Sequence, residues 1–148
     1  MVMKIKYLSN KIGNEVPKPF YATSGAAGLD LAACIDEDIC VNPQERLTIP
    51  TGLAVAIPEG FVCLIFPRSS LGLKFGITLP NSVGVIDSDY RGELLVAVTN
   101  ISNEPFVIEV GSRIAQLVVV PVAQADLVVV DELEETVRGS GGFGSTGL

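Results

Sequence analysis

Between Asn81 and Leu94 the chain reads NSVGVIDSDYRGEL. The first half is apolar and rich in β-branched residues, the middle is the acidic run Asp87-Ser88-Asp89, and a second apolar run begins at Leu94. Two β-branched runs separated by Asp and Ser are typical of strands joined by a tight turn. The stretch therefore predicts a β-hairpin that carries two carboxylates and, at Tyr90, an aromatic ring. A carboxylate fixed at such a turn could hold water against a ligand.

Short β-rich runs separated by Gly, Pro and Asn fill the rest of the chain, and no long 3.6-residue pattern occurs. Roughly ten short strands at this spacing predict an all-β fold, an antiparallel jelly-roll-like sandwich or barrel. Only Ser69–Lys74 is expected to form a helical turn. Besides the two runs of the predicted hairpin, the predicted strands are Ile5–Leu8, Leu29–Ala33, Arg46–Ile49, Leu53–Ile57, Val62–Phe66, Phe106–Val110, Ile114–Val120 and Leu127–Val130.

Composition limits the size and environment of the protein. The chain has 148 residues, 48% hydrophobic and 18% charged, with a mean hydropathy of +0.46. One domain of this size buries about 70% of its unfolded surface. The apolar content exceeds what one small core readily absorbs, so we expect contact with another subunit. No apolar stretch is long enough to span a membrane, and the N-terminus lacks a signal core, so a soluble, intracellular and cytoplasmic protein is expected.

Charge and residue usage exclude several kinds of chemistry. The net charge of −7 argues against binding to long nucleic acid, although a small phosphorylated ligand remains compatible with it. The chain has no histidine, so a general base near neutral pH must be a carboxylate, lysine, tyrosine or cysteine. The three cysteines are expected to be buried, reduced thiols rather than a disulfide framework or a zinc site.

The C-terminal segment differs in character from the rest, which divides the chain into a β-barrel domain over 1–130 and an arm over 131–148. Residues 131–135 are acidic, and residues 138–147 are rich in glycine, with Arg138 and Phe143 among them. Such a tail could be a disordered spacer. It could equally be an arm whose backbone N–H groups and arginine wrap a phosphate while the ring stacks on a planar base.

Two further sites carry candidate binding residues. Arg68, Ser69 and Ser70 follow an apolar strand, and a guanidinium with two hydroxyls at the start of a helical turn would suit a phosphate. The alternative is an N-capped turn with an exposed arginine. Gln116 and Asp30 are polar residues inside apolar strands, where each must find a hydrogen-bond or charge partner in the structure or in a ligand.

Five blocks together resemble the homotrimeric all-β dUTP pyrophosphatases (dUTPases), in that family's order and over nearly the whole length. They are Ala27–Leu31, Pro67–Gly72, Asn81–Leu94, Arg113–Leu117 and Arg138–Gly147. The resemblance implies hydrolysis of dUTP to dUMP and pyrophosphate, which limits uracil incorporation into DNA and supplies dUMP. It also implies Mg²⁺ held mainly by the triphosphate, and active sites shared among three subunits with a closing C-terminal arm.

The resemblance also implies roles for individual residues. Asp87 would orient and deprotonate the attacking water, and Tyr90 would pack beneath the deoxyribose and exclude a 2′-hydroxyl. The uracil edge would be read by the strand before the turn, with two residues completing the pocket: Gly84, Val85 and Ile86, then Asn81 and Leu95. Phosphates or catalytic water would be held by Arg68, Ser69, Ser70 and Gln116, and outer-shell metal water by Asp30. Arg138 on phosphate and Phe143 on uracil would come from the arm.

One departure from the family pattern leaves alternatives. The second block reads Arg-Ser-Ser, where the dUTPases usually have Arg-Ser-Gly, and Arg-Ser-Ser also occurs in the related dCTP deaminases of the same fold. Those enzymes place a catalytic glutamate on the strand after the turn, where this chain has Ala97. Deamination would therefore lack a proton shuttle. A non-catalytic nucleotide-binding regulator is a further alternative, although Asp87 and Arg138 are both present.

Overall fold

The computed structural model describes residues 1–142 as ten β-strands and a short α-helix. The strands, in chain order, are β1 (Lys4–Tyr7), β2 (Gly28–Ala32), β3 (Ile39–Val41), β4 (Arg46–Ala56), β5 (Phe61–Pro67), β6 (Ile77–Thr78), β7 (Gly84–Ile86), β8 (Glu93–Asn100), β9 (Phe106–Ile108) and β10 (Arg113–Pro121). The helix α1 spans Ser69–Phe75. β-Branched side chains dominate the longer strands, because they pack well on a pleated surface.

Two four-stranded sheets enclose the core. Their strand orders are β1-β4-β8-β6 and β2-β10-β5-β7, and β3 pairs with β9 in a small third sheet. The pairs between these strands are all antiparallel. Leu94 and Val96 of the first sheet and Ile65 and Leu117 of the second are almost fully buried in one apolar cluster. The predicted all-β antiparallel sandwich is therefore confirmed.

Helix α1 confirms the predicted helical turn. It begins after Arg68, which has an extended backbone, and ends at Gly76, which has a φ of 67°. A left-handed φ strains residues with a side chain. In addition, a Cβ at Gly76 would lie 2.8 Å from the Cβ of Ser102. The glycine thus lets the chain turn sharply from α1 into β6.

The predicted hairpin between Asn81 and Leu94 is wrong, although both of its strands exist. β7 pairs with β5 in one sheet, whereas β8 pairs with β4 and β6 in the other. The segment from Asp87 to Gly92 therefore crosses from one sheet to the other instead of closing a hairpin. Turn residues specify a local reversal of the chain, but which strand each arm joins depends on long-range pairing.

A single long strand replaces two predicted ones. The sequence predicts Arg46–Ile49 and Leu53–Ile57 as separate strands around Pro50, yet β4 runs through both with a register irregularity between Pro50 and Ala54. Two hydrogen bonds tie the irregular segment to the neighbouring strand: the N–H of Gly52 donates to Glu93 Oε1 at 2.7 Å, and Thr51 Oγ1 donates to the carbonyl of Leu94 at 2.7 Å. A β-bulge interrupts the regular ladder and bends the strand.

The predicted strand Leu127–Val130 is also wrong. Residues 122–142 contain no strand or helix, and Val129 is 97% exposed. A β-rich run needs a neighbouring edge to pair with, and none within the described chain receives it. The short strands β3 and β6 were not predicted, because runs of two or three residues carry too little pattern.

The cysteines are free thiols as expected, but only Cys63 is buried; Cys34 is half-buried and Cys40 is exposed. Within residues 1–142 no helix combines the length and apolar character needed to cross a membrane.

Candidate active site

Three sequence blocks meet around the middle of strand β10. The register places Gln116 of β10 opposite Asp30 of β2 on one side and opposite Phe66 of β5 on the other. Arg68 directly follows β5, whose last residue, Pro67, pairs with Ala115, so Arg68 lies near the start of β10. These residues line one cavity of about 500 Å³ together with Ser69 and Ser70. The candidate phosphate-binding residues of the sequence are therefore brought together.

Asp30 lies between two arginines in this cavity. Its Oδ1 is 3.3 Å from Nε of Arg68, and its Oδ2 accepts a hydrogen bond of 2.9 Å from a terminal nitrogen of Arg113. The Asp30 side chain is 12% exposed, compared with 25% for Arg68 and 41% for Arg113. A carboxylate so far removed from water requires cationic partners, and Asp30 has one for each oxygen.

Arg68 is not the exposed N-cap arginine of the alternative interpretation. It does occupy the N-cap position of α1, but its side chain forms no capping hydrogen bond and pairs with Asp30 instead. Ser69 and Ser70 follow in the first turn of α1, and both are exposed. Their hydroxyls therefore remain accessible to a ligand in the cavity that Arg68 lines.

The Gln116 amide lines the same cavity and is held there by one hydrogen bond. Its Nε2 donates to the carbonyl of Pro67 at 3.4 Å. On the other side, a Cβ added at Gly28 would lie 3.1 Å from Gln116 Oε1. Glycine at position 28 thus allows the close approach of the amide oxygen to strand β2. The expectation that this polar residue finds a partner within the apolar strand is confirmed.

The electrostatics of the cavity favour an anion. Two guanidinium groups face one carboxylate, so Arg68 and Arg113 leave an excess of positive charge around Asp30. This local charge opposes the overall net charge of −7. Guanidinium groups and hydroxyls are the donors that phosphate oxygens prefer, and a few placed cations can outweigh a protein's global field nearby.

A second cavity, of about 650 Å³, lies beside the acidic turn. Val85, Asp87, Ser88, Asp89 and Arg91 contribute to its lining. The turn is closed by the N–H of Tyr90, which donates to the carbonyl of Asp87 at 3.2 Å. A terminal nitrogen of Arg91 donates to the carbonyls of Ser88 at 2.7 Å and Tyr90 at 2.8 Å. Arg91 thus fixes the turn that carries Asp87.

The Tyr90 ring is folded back over its own turn. Its hydroxyl donates to the carbonyl of Glu93 at 2.9 Å, and a Cβ at Gly92 would overlap the ring. Tyr90 nevertheless stays 42% exposed, and Leu95 on β8 is similarly open. An aromatic face held by one hydrogen bond and backed by a glycine is a rigid surface against which a ligand can pack.

The remaining candidates lie near the turn or outside the cavities. Gly84 and Ile86 belong to β7, which forms the edge of its sheet next to β5. Asn81 is exposed in the loop before β7, where its carbonyl accepts from the N–H of Val83 at 2.7 Å. Arg138 is exposed in a turn closed by its carbonyl. Phe143 lies outside the described residues.

The cavity around Asp30 and the acidic turn lie at opposite ends of β5. Ile86 pairs with Cys63, so Asp87 follows at the level of Val62, whereas Arg68 comes after the other end of the strand. Six residues of extended chain separate these levels by roughly 20 Å. Because Arg68 is also held at its own end by Asp30, one subunit does not bring it and Asp87 onto the same phosphate group.

Two arginines in these cavities were not among the predicted site residues. Arg113 could have been recognised, because it begins the same strand that carries Gln116. The role of Arg91 could not be predicted, since an arginine that follows a tyrosine in a loop does not by itself indicate a contact with the turn. Both act on candidate residues, Arg113 on Asp30 and Arg91 on the turn around Asp87.

The carboxylates of the described chain do not form a metal cage. Across residues 1–142, no group of three or more His, Cys, Asp or Glu side chains gathers at ligand distance. Asp30 supplies two hard oxygens in its cavity, and each already faces an arginine. Carboxylate oxygens have further lone pairs, so Asp30 could still accept hydrogen bonds from metal-bound water. The residues therefore fit Mg²⁺ held chiefly by a ligand's phosphates.

The structure is that of an all-β protein with a cavity suited to a phosphorylated ligand and a carboxylate fixed on a turn between its sheets. The model of the dUTPase family matches residues 14–147, and the chain belongs to this family. Ala97, which pairs with Thr48 across β4 and β8, supplies no carboxylate, so the deaminase alternative is not favoured.

Similar proteins include a deoxyuridine 5′-triphosphate nucleotidohydrolase of Haemophilus influenzae, 55% identical over 144 residues, which are 97% of this chain and 95% of that protein. A solved structure of the Staphylococcus bacteriophage 80alpha dUTPase with dUPNHPP has a TM-score of 0.82 and 30% identity, and 99% of each chain is covered. The dUTPase of phage phi11 of S. aureus, solved as a mutant with a structural Mg(II) ion, has a TM-score of 0.78 and 27% identity over 91% of this chain and 100% of that chain.

Proposed function

We propose that this protein hydrolyses dUTP to dUMP and pyrophosphate. The observation that carries the proposal is the electropositive cavity of Arg68, Arg113, Asp30 and Gln116, which three of the family's blocks build in a chain of net negative charge. Phosphoryl transfer needs positioning and charge neutralisation more than a covalent nucleophile. A chain that has no histidine suits such a reaction.

In the proposed reaction, Asp87 accepts a proton from a water molecule. The water oxygen forms a bond to the α-phosphorus, and the bond from that phosphorus to the bridging oxygen breaks, so that pyrophosphate leaves with the electron pair. The turn that Arg91 and the N–H of Tyr90 hold fixes the carboxylate. A positioned general base contributes about 10²- to 10⁴-fold in rate.

The edge of β7 is the proposed reader of the base. β7 pairs with β5 on one side, and it is the last strand of its sheet. Backbone N–H and C=O groups on a free strand edge are ready to pair with another molecule. Gly84, Val85 and Ile86 would bind the uracil edge through these groups, with Asn81 and Leu95 completing the pocket. Tyr90 would pack beneath the sugar and leave no space for a 2′-hydroxyl.

The active site is proposed to be shared between copies of the chain in a homotrimer. The separation of Asp87 from Arg68 along β5 supports this, because each residue then needs a partner from another copy. The exposed apolar side chains of the C-terminal segment support it as well: Leu127 is 92% exposed and Val129 97%. Such residues are expected to be covered in an assembly.

The remaining groups complete the proposed site. Arg68, Ser69, Ser70 and Gln116 would hold phosphates or catalytic water. Mg²⁺ would be bound mainly by the triphosphate, where it neutralises charge, and Asp30 would bind water of its outer shell.

The C-terminal arm would close over the site, with Arg138 on phosphate and Phe143 stacked on uracil. Closing an arm excludes water and strengthens the electrostatic interactions inside.

The proposal is tested by pyrophosphate release from dUTP, dTTP, dCTP and UTP with Mg²⁺, together with a check for dUTP or dUMP formed from dCTP. Release from dUTP alone is expected, because the free edge of β7 would select the base and Tyr90 would select the sugar. Absence of release from all four nucleotides, at concentrations where dUTP binds, would favour the non-catalytic nucleotide-binding regulator instead.

A further inference from the structure

We propose that Arg113 is a positioning residue: it holds Asp30, and Asp30 in turn holds Arg68 so that the remaining N–H groups of Arg68 are presented to a phosphate. The inference rests on the proposed function, because it takes the cavity around Asp30 to be where the triphosphate binds. It gives a role to a residue that contacts the substrate only through two others.

The strand geometry aims Arg113 at Asp30. The pairing between β10 and β2 shifts register between Arg113 and Ala115. Without the shift, Arg113 and Gln116, three residues apart, would point to opposite faces of the sheet. The irregularity places Arg113 opposite Ala32, two residues from Asp30 and on the same face. A diagonal neighbour at this distance is within reach of a long side chain.

The contacts divide the two oxygens of Asp30 between the two arginines. Oδ2 accepts from Arg113 at 2.9 Å, and Oδ1 lies 3.3 Å from Nε of Arg68. Asp30 therefore contacts the Arg68 guanidinium at Nε, the nitrogen nearest to the main chain of Arg68. A terminal nitrogen of Arg68 makes only a long contact of 3.5 Å, with the carbonyl of Arg113. A guanidinium has five N–H donors, so most of those on its terminal nitrogens remain for a phosphate.

Arg113 is needed for two physical reasons. Asp30 with Arg68 alone would be a neutral pair, and the carboxylate would repel a phosphate that approaches Arg68. With Arg113 present, the second positive charge compensates the carboxylate and keeps the cavity attractive to anions. Fixing Asp30 at both oxygens also fixes the Arg68 side chain before the ligand arrives, which reduces the entropy lost on binding.

The test is a double-mutant cycle on binding of the non-hydrolysable analogue dUPNHPP, measured by titration calorimetry in the presence of a metal chelator. The variants are Arg113→Gln, Asp30→Asn and the double variant. We expect Arg113→Gln to weaken dUPNHPP binding about tenfold, the scale of one lost charge-assisted hydrogen bond. In the Asp30→Asn background the same change should cost less than about threefold, because the support that Arg113 gives to Asp30 is already gone and only the general attraction of its charge remains to be lost.

Arg46→Gln is the matched control. Arg46 is an exposed arginine on β4 that does not line the cavity, and replacing it by glutamine removes the same charge. Its affinity for dUPNHPP is expected to equal that of the wild type. If Arg113→Gln does not fold, as judged by its melting temperature, Arg113→Lys takes its place in the cycle. A lysine keeps the charge with one donor group, so a loss of about threefold that disappears beside Asp30→Asn is expected.

Three results would overturn the inference. Unchanged affinity in Arg113→Gln would show that Arg113 does not support binding. A tenfold loss that persists in the Asp30→Asn background would show that Arg113 contacts the phosphate directly. Failure of the wild-type protein to bind dUPNHPP would overturn the proposed function itself, and the inference with it.

Discussion

Asp87 and Arg68 lie beside opposite ends of strand β5, with roughly 20 Å of extended chain between their levels. Asp87 is fixed in a turn that crosses between the sheets, and Arg68 is fixed by its ion pair with Asp30. The proposed reaction needs both residues on one triphosphate, so the proposal is that they come from different copies of the chain. Each copy would then supply two half-sites, one beside each end of β5.

Replacing Asp87 by asparagine should abolish proton acceptance with little change in shape. We expect turnover of dUTP to fall by about 10²- to 10⁴-fold, while the dissociation constant for dUPNHPP changes less than about threefold. Asp89→Asn is the matched control, because Asp89 lines the same cavity as Asp87 and the substitution removes the same charge. Equal losses of turnover in both variants would mean that the charge of the turn matters, and not the position of Asp87.

The sugar preference should depend on the Tyr90 ring and not on its hydroxyl. Tyr90→Ala removes the ring, so we expect the ratio of kcat/KM for UTP to that for dUTP to rise at least about tenfold, the scale on which a pocket rejects an added hydroxyl. Gly92→Ala should act in the same direction, because its Cβ would displace the ring. Tyr90→Phe loses one exposed hydrogen bond and should keep the wild-type ratio. An unaltered ratio in Tyr90→Ala would remove Tyr90 from this role.

The C-terminal arm should be needed for catalysis but not for folding. The described strands end at Pro121, so a chain truncated before Arg138 keeps every one of them. We expect a truncated protein with an unchanged melting temperature and unchanged assembly by sedimentation, but with dUTP turnover reduced by at least about 10²-fold, the scale of one lost transition-state charge contact. Full activity in the truncated protein would mean that the tail is a spacer.

The cysteines should differ sharply in reactivity and in their response to pH. Burial raises the pKa of the Cys63 thiol to about 11, whereas Cys40 is exposed. At pH 8 a thiol reagent should therefore label Cys40 in the native protein and Cys63 only after unfolding.

Between pH 9 and pH 11 the folded protein keeps the Cys63 proton while the unfolded chain releases it, since the ordinary pKa is 9.0. The free energy of unfolding should therefore fall across this interval, and more steeply in the wild type than in Cys63→Ala. Denaturant titrations at several pH values measure both slopes. Parallel slopes would contradict this linkage.

Local patterns predicted most of the strands but not how they pair. Residues 84–86 and the run from Leu94 onward are strands, as their β-branched content indicates, yet they belong to different sheets. The turn residues between them would look the same in a hairpin. At Leu127–Val130 the pattern predicted a strand that the described chain does not form, because pairing requires a partner edge that local sequence does not reveal.

Site residues were predictable where a polar side chain stands in an apolar strand, because such a side chain requires a hydrogen-bond or charge partner. Asp30 and Gln116, polar residues in apolar strands, had to find partners, and they meet across β2 and β10. Arg113 begins the strand that carries Gln116 and could have been recognised for that reason, but its contact with Asp30 depends on a register shift of one residue, which no sequence pattern marked. The separation of Asp87 from Arg68 could not be predicted either, since it follows from the pairing of β7 with β5.

The most direct test of a shared site is complementation between two inactive variants. Asp87→Asn and Arg68→Gln proteins are unfolded together in denaturant, refolded as a mixture and assayed for dUTP hydrolysis, with each variant refolded alone as the control. If Asp87 and Arg68 act from different copies, random mixing restores both residues to about a quarter of the sites, so roughly a quarter of wild-type activity is expected. If both residues act from the same copy, the mixture will be as inactive as each variant alone, and the proposal of an active site shared between copies will be wrong.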